Sequence, residues 1–111
     1  MLSIIVPVRN ESNNLNELLE YFSKNLAQIN YEVLIVNDFS DDETFQKAEL
    51  IFSGHNQFKI LDNDKKGLGG AINLGINRAS GTNVAIMMAD QSDDIDDLIN
   101  YNNLMNSENY D

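Results

Sequence analysis

Residues 67–94 read GLGGAINLGINRASGTNVAIMMADQSDD: a glycine turn, an amphipathic stretch, a short apolar run and then an abrupt acidic cluster. Val84, Ala85, Ile86, Met87 and Met88 are apolar without alternation, which predicts a strand over residues 84–88 buried on both faces of a sheet. That strand empties into Asp90, Asp93 and Asp94. Carboxylates at the carboxyl end of a strand lie where open α/β sheets bind ligands. Upstream, Leu68, Ala71, Ile72, Gly75, Ile76 and Ala79 recur along one helical face, and Gly81 is placed to end that helix in the left-handed conformation. The stretch thus reads as a helix and a strand delivering a metal and phosphate site.

Working back toward the amino terminus, residues 62–66 form a polar loop and residues 58–61 a third, weaker strand, extended by Gln57. Residues 32–36, EVLIV, make a second buried strand ending in Asn37 and Asp38. Ser40 and Glu43 fit a capping box, which starts a helix burying Phe45, Ala48 and Phe52. Residues 2–8, LSIIVPV, are a β-branched first strand whose exit is bent by Pro7. Ser12 is placed to cap the helix after it, with Leu15, Leu18, Leu19, Phe22 and Leu26 on its apolar face. Toward the carboxyl terminus, Ile95, Leu98, Ile99, Asn102 and Met105 suggest a fourth helix with an imperfect stripe, and from Asn106 no pattern continues, so disorder is expected there. Strand and helix alternate four times. The expected fold is therefore α/β, a Rossmann-like parallel sheet of four βα units with helices on both faces.

A chain of 111 residues with 42% hydrophobic content suits one modest domain. Its apolar segments are all far shorter than the roughly 20 residues a membrane helix needs, and no signal-peptide pattern opens it, so a cytoplasmic protein is expected. Without cysteine, a metal would be held by oxygen, with His55 the sole imidazole, and this favours Mg²⁺ or Mn²⁺. The net charge of −11 argues against nucleic-acid binding, whose affinity comes from basic side chains displacing counterions. All seven Lys and Arg residues lie at or before Arg78, whereas seven of the eighteen acidic residues lie from Asp90 onward. That acidic end is either a solvated surface or awaits a cation or a basic partner segment.

Three expected strand ends, residues 7–11, 37–42 and 89–94, converge on one edge of such a sheet. Asp38 is placed to grip a ribose or a base edge, or simply to turn the chain while Ser40 caps the next helix; the motif alone leaves both open. Asp90 with Asp93 or Asp94 offers oxygen ligands for a divalent ion against a diphosphate. Alternatively, Ser92, Asp93 and Asp94 cap the last helix, and the two roles are compatible. The turn at Gly67 and Gly69 leaves backbone room for a phosphate or sugar at a helix start, although it matches neither a GxGxxG nor a P-loop pattern. Lys65 and Lys66 can meet phosphate charge or merely be solvated, and His55 reads as an ordinary loop residue.

The ordered motifs SIIVPVRNE, EVLIVNDFSDDET, GLGGAINLGINRASG and VAIMMADQSDD resemble family 2 glycosyltransferases of the GT-A fold, in particular the dolichol-phosphate mannose synthase-like branch. The resemblance covers nearly the whole chain and implies its amino-terminal nucleotide-binding portion. It implies that Pro7, Arg9, Glu11 and Asp38 hold the nucleoside, with Asp41 a weaker candidate, and that residues 67–71 line the donor pocket. It implies further that Asp90 matches the second aspartate of the family's Asp-x-Asp motif. Met88 stands at the first, so the metal rests on Asp90 with Asp93 or Asp94, as in the ADxSDD variant of this branch. Asn37 replaces the first aspartate of a usual pair, Phe39 a common glycine, and Arg9 a frequent aromatic residue.

What the resemblance implies is transfer of a sugar from a UDP- or GDP-linked donor to a polyprenyl phosphate or polysaccharide acceptor. Family members continue well beyond this length, so the chain is expected to be a fragment or truncated form, with the catalytic base in the absent portion and the 111 residues alone nearly inactive. Attachment to the inner face of a membrane would come through those absent segments. The alternative is a non-catalytic module that binds nucleotide or nucleotide-sugar. A receiver-type signalling domain also clusters aspartates at strand ends, but its chemistry wants a lysine on a late strand and none follows Lys66. An exposed fourth strand also invites a homodimer.

Overall fold

The computed structural model describes residues 1–88 and 95–108. The elements run β1 (Leu2–Val8), α1 (Leu15–Asn25), β2 (Tyr31–Asn37), α2 (Thr44–Phe52), β3 (Phe58–Asp62), α3 (Leu68–Arg78), β4 (Asn83–Ile86) and α4 (Ile95–Glu108). The four strands form one parallel sheet in the order β3-β2-β1-β4. The α/β alternation expected from the sequence is therefore what forms.

Every residue of β1 and β2 is buried, because both strands are interior to the sheet and covered on both faces. Alternate side chains serve opposite faces. Leu2, Ile4, Val6 and Val8 join Val33 and Ile35 against Leu15, Leu18 and Phe22 of α1 and Ala48 and Phe52 of α2. Ile5 and Val36 instead meet Ala71 of α3 on the other face. Phe52 stacks on Phe58 with centroids 4.9 Å apart, closing the larger cluster. Leu98 and Ile99 of α4 pack against the same cluster.

The chain steps outward from β1 to β2 to β3 and then crosses back, so α3 returns it to the far side of β1. This reversal places a topological switch point between β1 and β4, where ligands of open α/β sheets sit. The β1–β4 ladder pairs Leu2 through Ile5 with Asn83 through Ile86, and the Met87 N–H donates to the Ile5 carbonyl at 2.9 Å. The next bond of a parallel ladder would come from the N–H of residue 7, which is proline and has none. Pro7 thus lets the two strands part at their carboxyl ends.

Several local expectations are corrected. The fourth strand is not a run over 84–88 buried on both faces: it ends at Ile86, which is 45% exposed because β4 is the sheet's edge. The buried face of α3 is Ala71 and Gly75 with Leu74 behind them, while Leu68 and Ile76 are exposed. A Cβ on Gly75 would lie 2.5 Å from Ile5 Cγ2, so glycine is what lets α3 lie on β1. Gly81 is not left-handed; a Cβ there would meet the Met1 carbonyl oxygen at 2.5 Å and Ser3 Oγ at 2.6 Å. The caps differ as well. Helix α1 starts from Asn14 and α2 from Glu43, neither with a side-chain cap. Ser12 instead hydrogen-bonds Asp42, and Ser40 is engaged by Asn37 and Asn10. Gln57 lies outside β3, Phe45 is half-buried, and helix continues through Glu108 where disorder was expected from Asn106.

Candidate functional site

Beyond the carboxyl ends of β1 and β2 the backbone turns sharply. Asn10 and Phe39 both have φ of 54°, a left-handed conformation uncommon for non-glycine residues. At Phe39 this accounts for the glycine common at this position in the family, since glycine adopts that backbone without strain. Side chains then tie the loops together. The Asn10 N–H donates to Ser40 Oγ at 3.0 Å, and the Ser40 hydroxyl donates to Asn37 Oδ1 at 2.6 Å. Asn37 Nδ2 donates to Asp62 Oδ1 at 2.9 Å, and the Asp41 N–H to Asn10 Oδ1 at 2.7 Å. Three strand ends are thereby held as one unit, and Asp41 enters it through its backbone.

Glu11 is anchored from two sides. Its N–H donates to Thr44 Oγ1 at 3.0 Å, and its Oε2 accepts from Asn14 Nδ2 at 2.6 Å. The Thr44 hydroxyl donates in turn to Asp42 Oδ1, which also takes the Thr44 N–H at 2.9 Å. Those Thr44 hydrogen bonds, with others from Ser12, hold the exposed Asp42 carboxyl below the ordinary aspartate range. Asp42 therefore does the work at the start of α2 that the sequence suggested for Ser40.

Asp38 is 7% exposed, and its N–H continues the β1–β2 ladder by donating to the Val8 carbonyl at 2.8 Å. Its Oδ1 accepts from Asn63 Nδ2 at 2.9 Å and from the Gly67 N–H at 3.0 Å. Gly67 has φ of 117°, a backbone that L side chains rarely adopt, and from it α3 begins. Pro7, Val8, Arg9, Glu11, Asp38, Leu68 and Met88 line one pocket of about 160 Å³ in the crevice that Pro7 opens. Arg9, an exposed residue just past β1, lines this pocket together with Glu11 and Asp38. A larger groove of about 410 Å³ between β4 and α4 is mainly apolar, with Asp97 the one carboxylate among the described residues that line it.

The structure thus brings together Pro7, Arg9, Glu11 and Asp38, and ties Gly67 to Asp38. Gly69 lies apart from that lining, which takes Leu68 instead, and a Cβ on Gly69 would meet nothing within 4 Å. Lys65 and Lys66 are exposed. Asp90, Asp93 and Asp94 lie outside the described residues. Among the described residues, no three His, Asp or Glu side chains gather as a metal would require. Sequence reasoning missed Asn63, which at 5% exposure is buried beneath the Gly67 turn. Its one local sign was an asparagine directly after a strand within the run Asp62-Asn63-Asp64.

Residues 3–111 match the family model for glycosyl transferase family 2. The chain belongs to that family. A family relative, the dolichol-phosphate mannosyltransferase of Pyrococcus furiosus, is 37% identical over 89 residues, which are 80% of this chain and 25% of that protein. The structure of the mannosyltransferase PcManGT from Pyrobaculum calidifontis, solved with GDP-Man and Mn²⁺, matches at a TM-score of 0.65 and 26% identity, covering 80% of this chain and 27% of that one. TarS 1–349 of S. aureus with UDP-GlcNAc matches at 0.63 and 28% identity, covering 80% and 26%. The sheet is therefore that of GT-A glycosyltransferases, and the chain spans about a quarter of the length of these relatives. Among the described residues, no helix is long and apolar enough to cross a membrane.

Proposed function

We propose that the pocket between β1 and β4 binds the nucleoside of a UDP- or GDP-linked sugar, as the donor site of a family 2 glycosyltransferase. The observation that carries this reading is Asp38: a nearly buried carboxylate, fixed through Oδ1, that follows β2 and lines the pocket beside the switch point. Asp38 Oδ2, which takes no hydrogen bond among the described residues, is suited to accept from a ribose hydroxyl or a base N–H, and Glu11 supplies a second acceptor. Arg9 is the cation suited to the donor's phosphate charge. In the reaction, the anomeric carbon exchanges its bond to the β-phosphate for one to an acceptor oxygen, releasing nucleoside diphosphate and a proton.

A divalent ion, Mg²⁺ or Mn²⁺, is assigned on sequence alone to Asp90 with Asp93 or Asp94, and when bound it would offset charge on the diphosphate. A lipid-phosphate or polysaccharide acceptor completes the reading, the lipid bringing the protein to a membrane's inner face. This domain is read as the donor-binding portion of a longer enzyme and is expected to show little or no transfer by itself. Pairing of the β4 edge with a second copy is also proposed, and sedimentation as a monomer at high concentration would remove it.

Calorimetric titration with UDP and GDP, with and without Mn²⁺, tests the donor site. Binding of one of them should weaken by roughly tenfold or more in Asp38→Asn, since a hydrogen bond to a charged group is worth about 1.5–3 kcal/mol. Stability should change little, because the amide oxygen can still accept from Asn63 and Gly67. Failure of both nucleotides to bind the unaltered chain would overturn the proposal.

A further inference from the structure

We propose that Asn63 is the positioning residue of this site: from the end of β3 it orients the Asp38 carboxylate and clamps the Gly67 turn against it. Asn63 Nδ2 faces three acceptors, Asp38 Oδ1 at 2.9 Å, the Lys65 carbonyl at 2.7 Å and the Gly67 carbonyl at 3.4 Å. Its Oδ1 accepts the Lys65 N–H at 3.2 Å, and its own N–H donates to the Asn37 carbonyl at 2.9 Å. One buried amide therefore closes the loop from β3 to α3 on itself and joins that loop to the end of β2. Because Asn63 and the Gly67 N–H converge on the same oxygen of Asp38, the plane of that carboxylate is set from two directions. The role needs a donor and an acceptor on a short, flat group, which asparagine supplies. An aspartate has the same shape but would set a second anion against Asp38 and two carbonyls.

The effect on nucleotide affinity rests on the reading of Asp38 as a nucleoside ligand, whereas the clamp on the turn does not. Asn63→Asp and Asn63→Ser would be compared with the unaltered chain, each confirmed folded by circular dichroism. Two quantities are read against pH: the exchange protection factor of the Gly67 amide, and the affinity for UDP and GDP. At neutral pH both variants should lose roughly tenfold or more in protection and in affinity, the consequence of leaving buried groups unpaired.

On acidification only Asn63→Asp should recover. Two facing carboxyls raise the pKa of one of them, and the shared proton restores a donor to Asp38. A variant that merely loosens packing has no such pH signature. The other charged groups around this point, Asp62 at the end of β3, Asp64, Lys65 and Lys66 of the loop and Arg9 and Glu11 of the pocket lining, are common to all three proteins. Protection and affinity unchanged at neutral pH in either folded variant would overturn the inference, as would identical pH behaviour of the two. If Asn63→Asp does not fold at neutral pH, Asn63→Ser decides alone. If the unaltered chain binds neither nucleotide, the donor-site reading fails while the Gly67 protection factors still judge the clamp.

Discussion

Replacing Glu32 by glutamine tests the most demanding polar contact in the sheet. Glu32 lies in the β2 strand with its side chain 5% exposed. Its Oε2 accepts from the Ser3 hydroxyl and the Ser80 N–H, each at 2.6 Å, and its Oε1 receives Lys59 Nζ at 2.9 Å. Ser3 Oγ in turn accepts the Gly81 N–H at 2.8 Å, so one carboxylate joins three strands and the connection from α3 to β4. Glutamine keeps the shape and can keep its oxygen toward Ser3 and Ser80. Each of those bonds falls from the charged to the neutral class, a loss of about 1 kcal/mol apiece. The Lys59 pair adds at most about 1 kcal/mol, since that lysine is 47% exposed. Relief from burying a charge works the other way, so about 2 kcal/mol is expected for Glu32→Gln. In urea denaturation that corresponds to a midpoint lower by roughly 1 M.

The pH dependence gives the sharper reading. Burial pushes the Glu32 carboxyl up, but the hydrogen bonds from Ser3, Ser80 and Lys59 outweigh it and leave it below the ordinary glutamate range. A carboxyl depressed in the folded state contributes its full stability above the unfolded pKa, roughly 4.3, and loses it as pH falls through the folded value. The stability difference between the unaltered chain and Glu32→Gln should therefore be flat near neutrality and shrink as the pH falls below the unfolded value. Asp42, also depressed, is present in both proteins and cancels in the difference. A variant within about 0.5 kcal/mol of the parent at neutral pH, or a difference that does not narrow in acid, would refute this account.

Three further substitutions probe backbone and packing. Gly75→Ala should destabilise by about 1–3 kcal/mol despite alanine's helix preference, because its Cβ would fall 2.5 Å from Ile5 Cγ2; Gly69→Ala in the same helix, with nothing near its Cβ, should stabilise by about 0.5–1 kcal/mol, and thermal melts compare the two. Phe39→Gly relieves a left-handed backbone at φ 54° worth about 1–2 kcal/mol while adding glycine's unfolded-state entropy, so a small net gain is expected in urea titration, and a clear loss would mean that the half-exposed ring has a packing role.

The set of elements and the family are legible along the chain. Apolar runs at residues 4–8 and 33–36 and the periodic leucines of α1 are local patterns, legible because strand and helix periods are written along the chain. The order of four motifs was equally legible. Features that depend on distant residues meeting emerged only in the folded arrangement. The crossing that sets β4 beside β1 left β4 a half-exposed edge, and the missing N–H of Pro7 opened the crevice there. Ser12 and Ser40 looked like caps because capping is a local rule, yet both were claimed by partners about 30 residues away, Asp42 for Ser12 and the Asn10 N–H for Ser40. Gly81 looked like a helix end and proved to be the gap into which β1 fits. Asn63 carried little signal at all, since its importance comes from a carboxylate 25 residues earlier. A side chain's hydrogen-bonding capacity is readable from its identity, but its partner is chosen by the packing that brings the strand ends together.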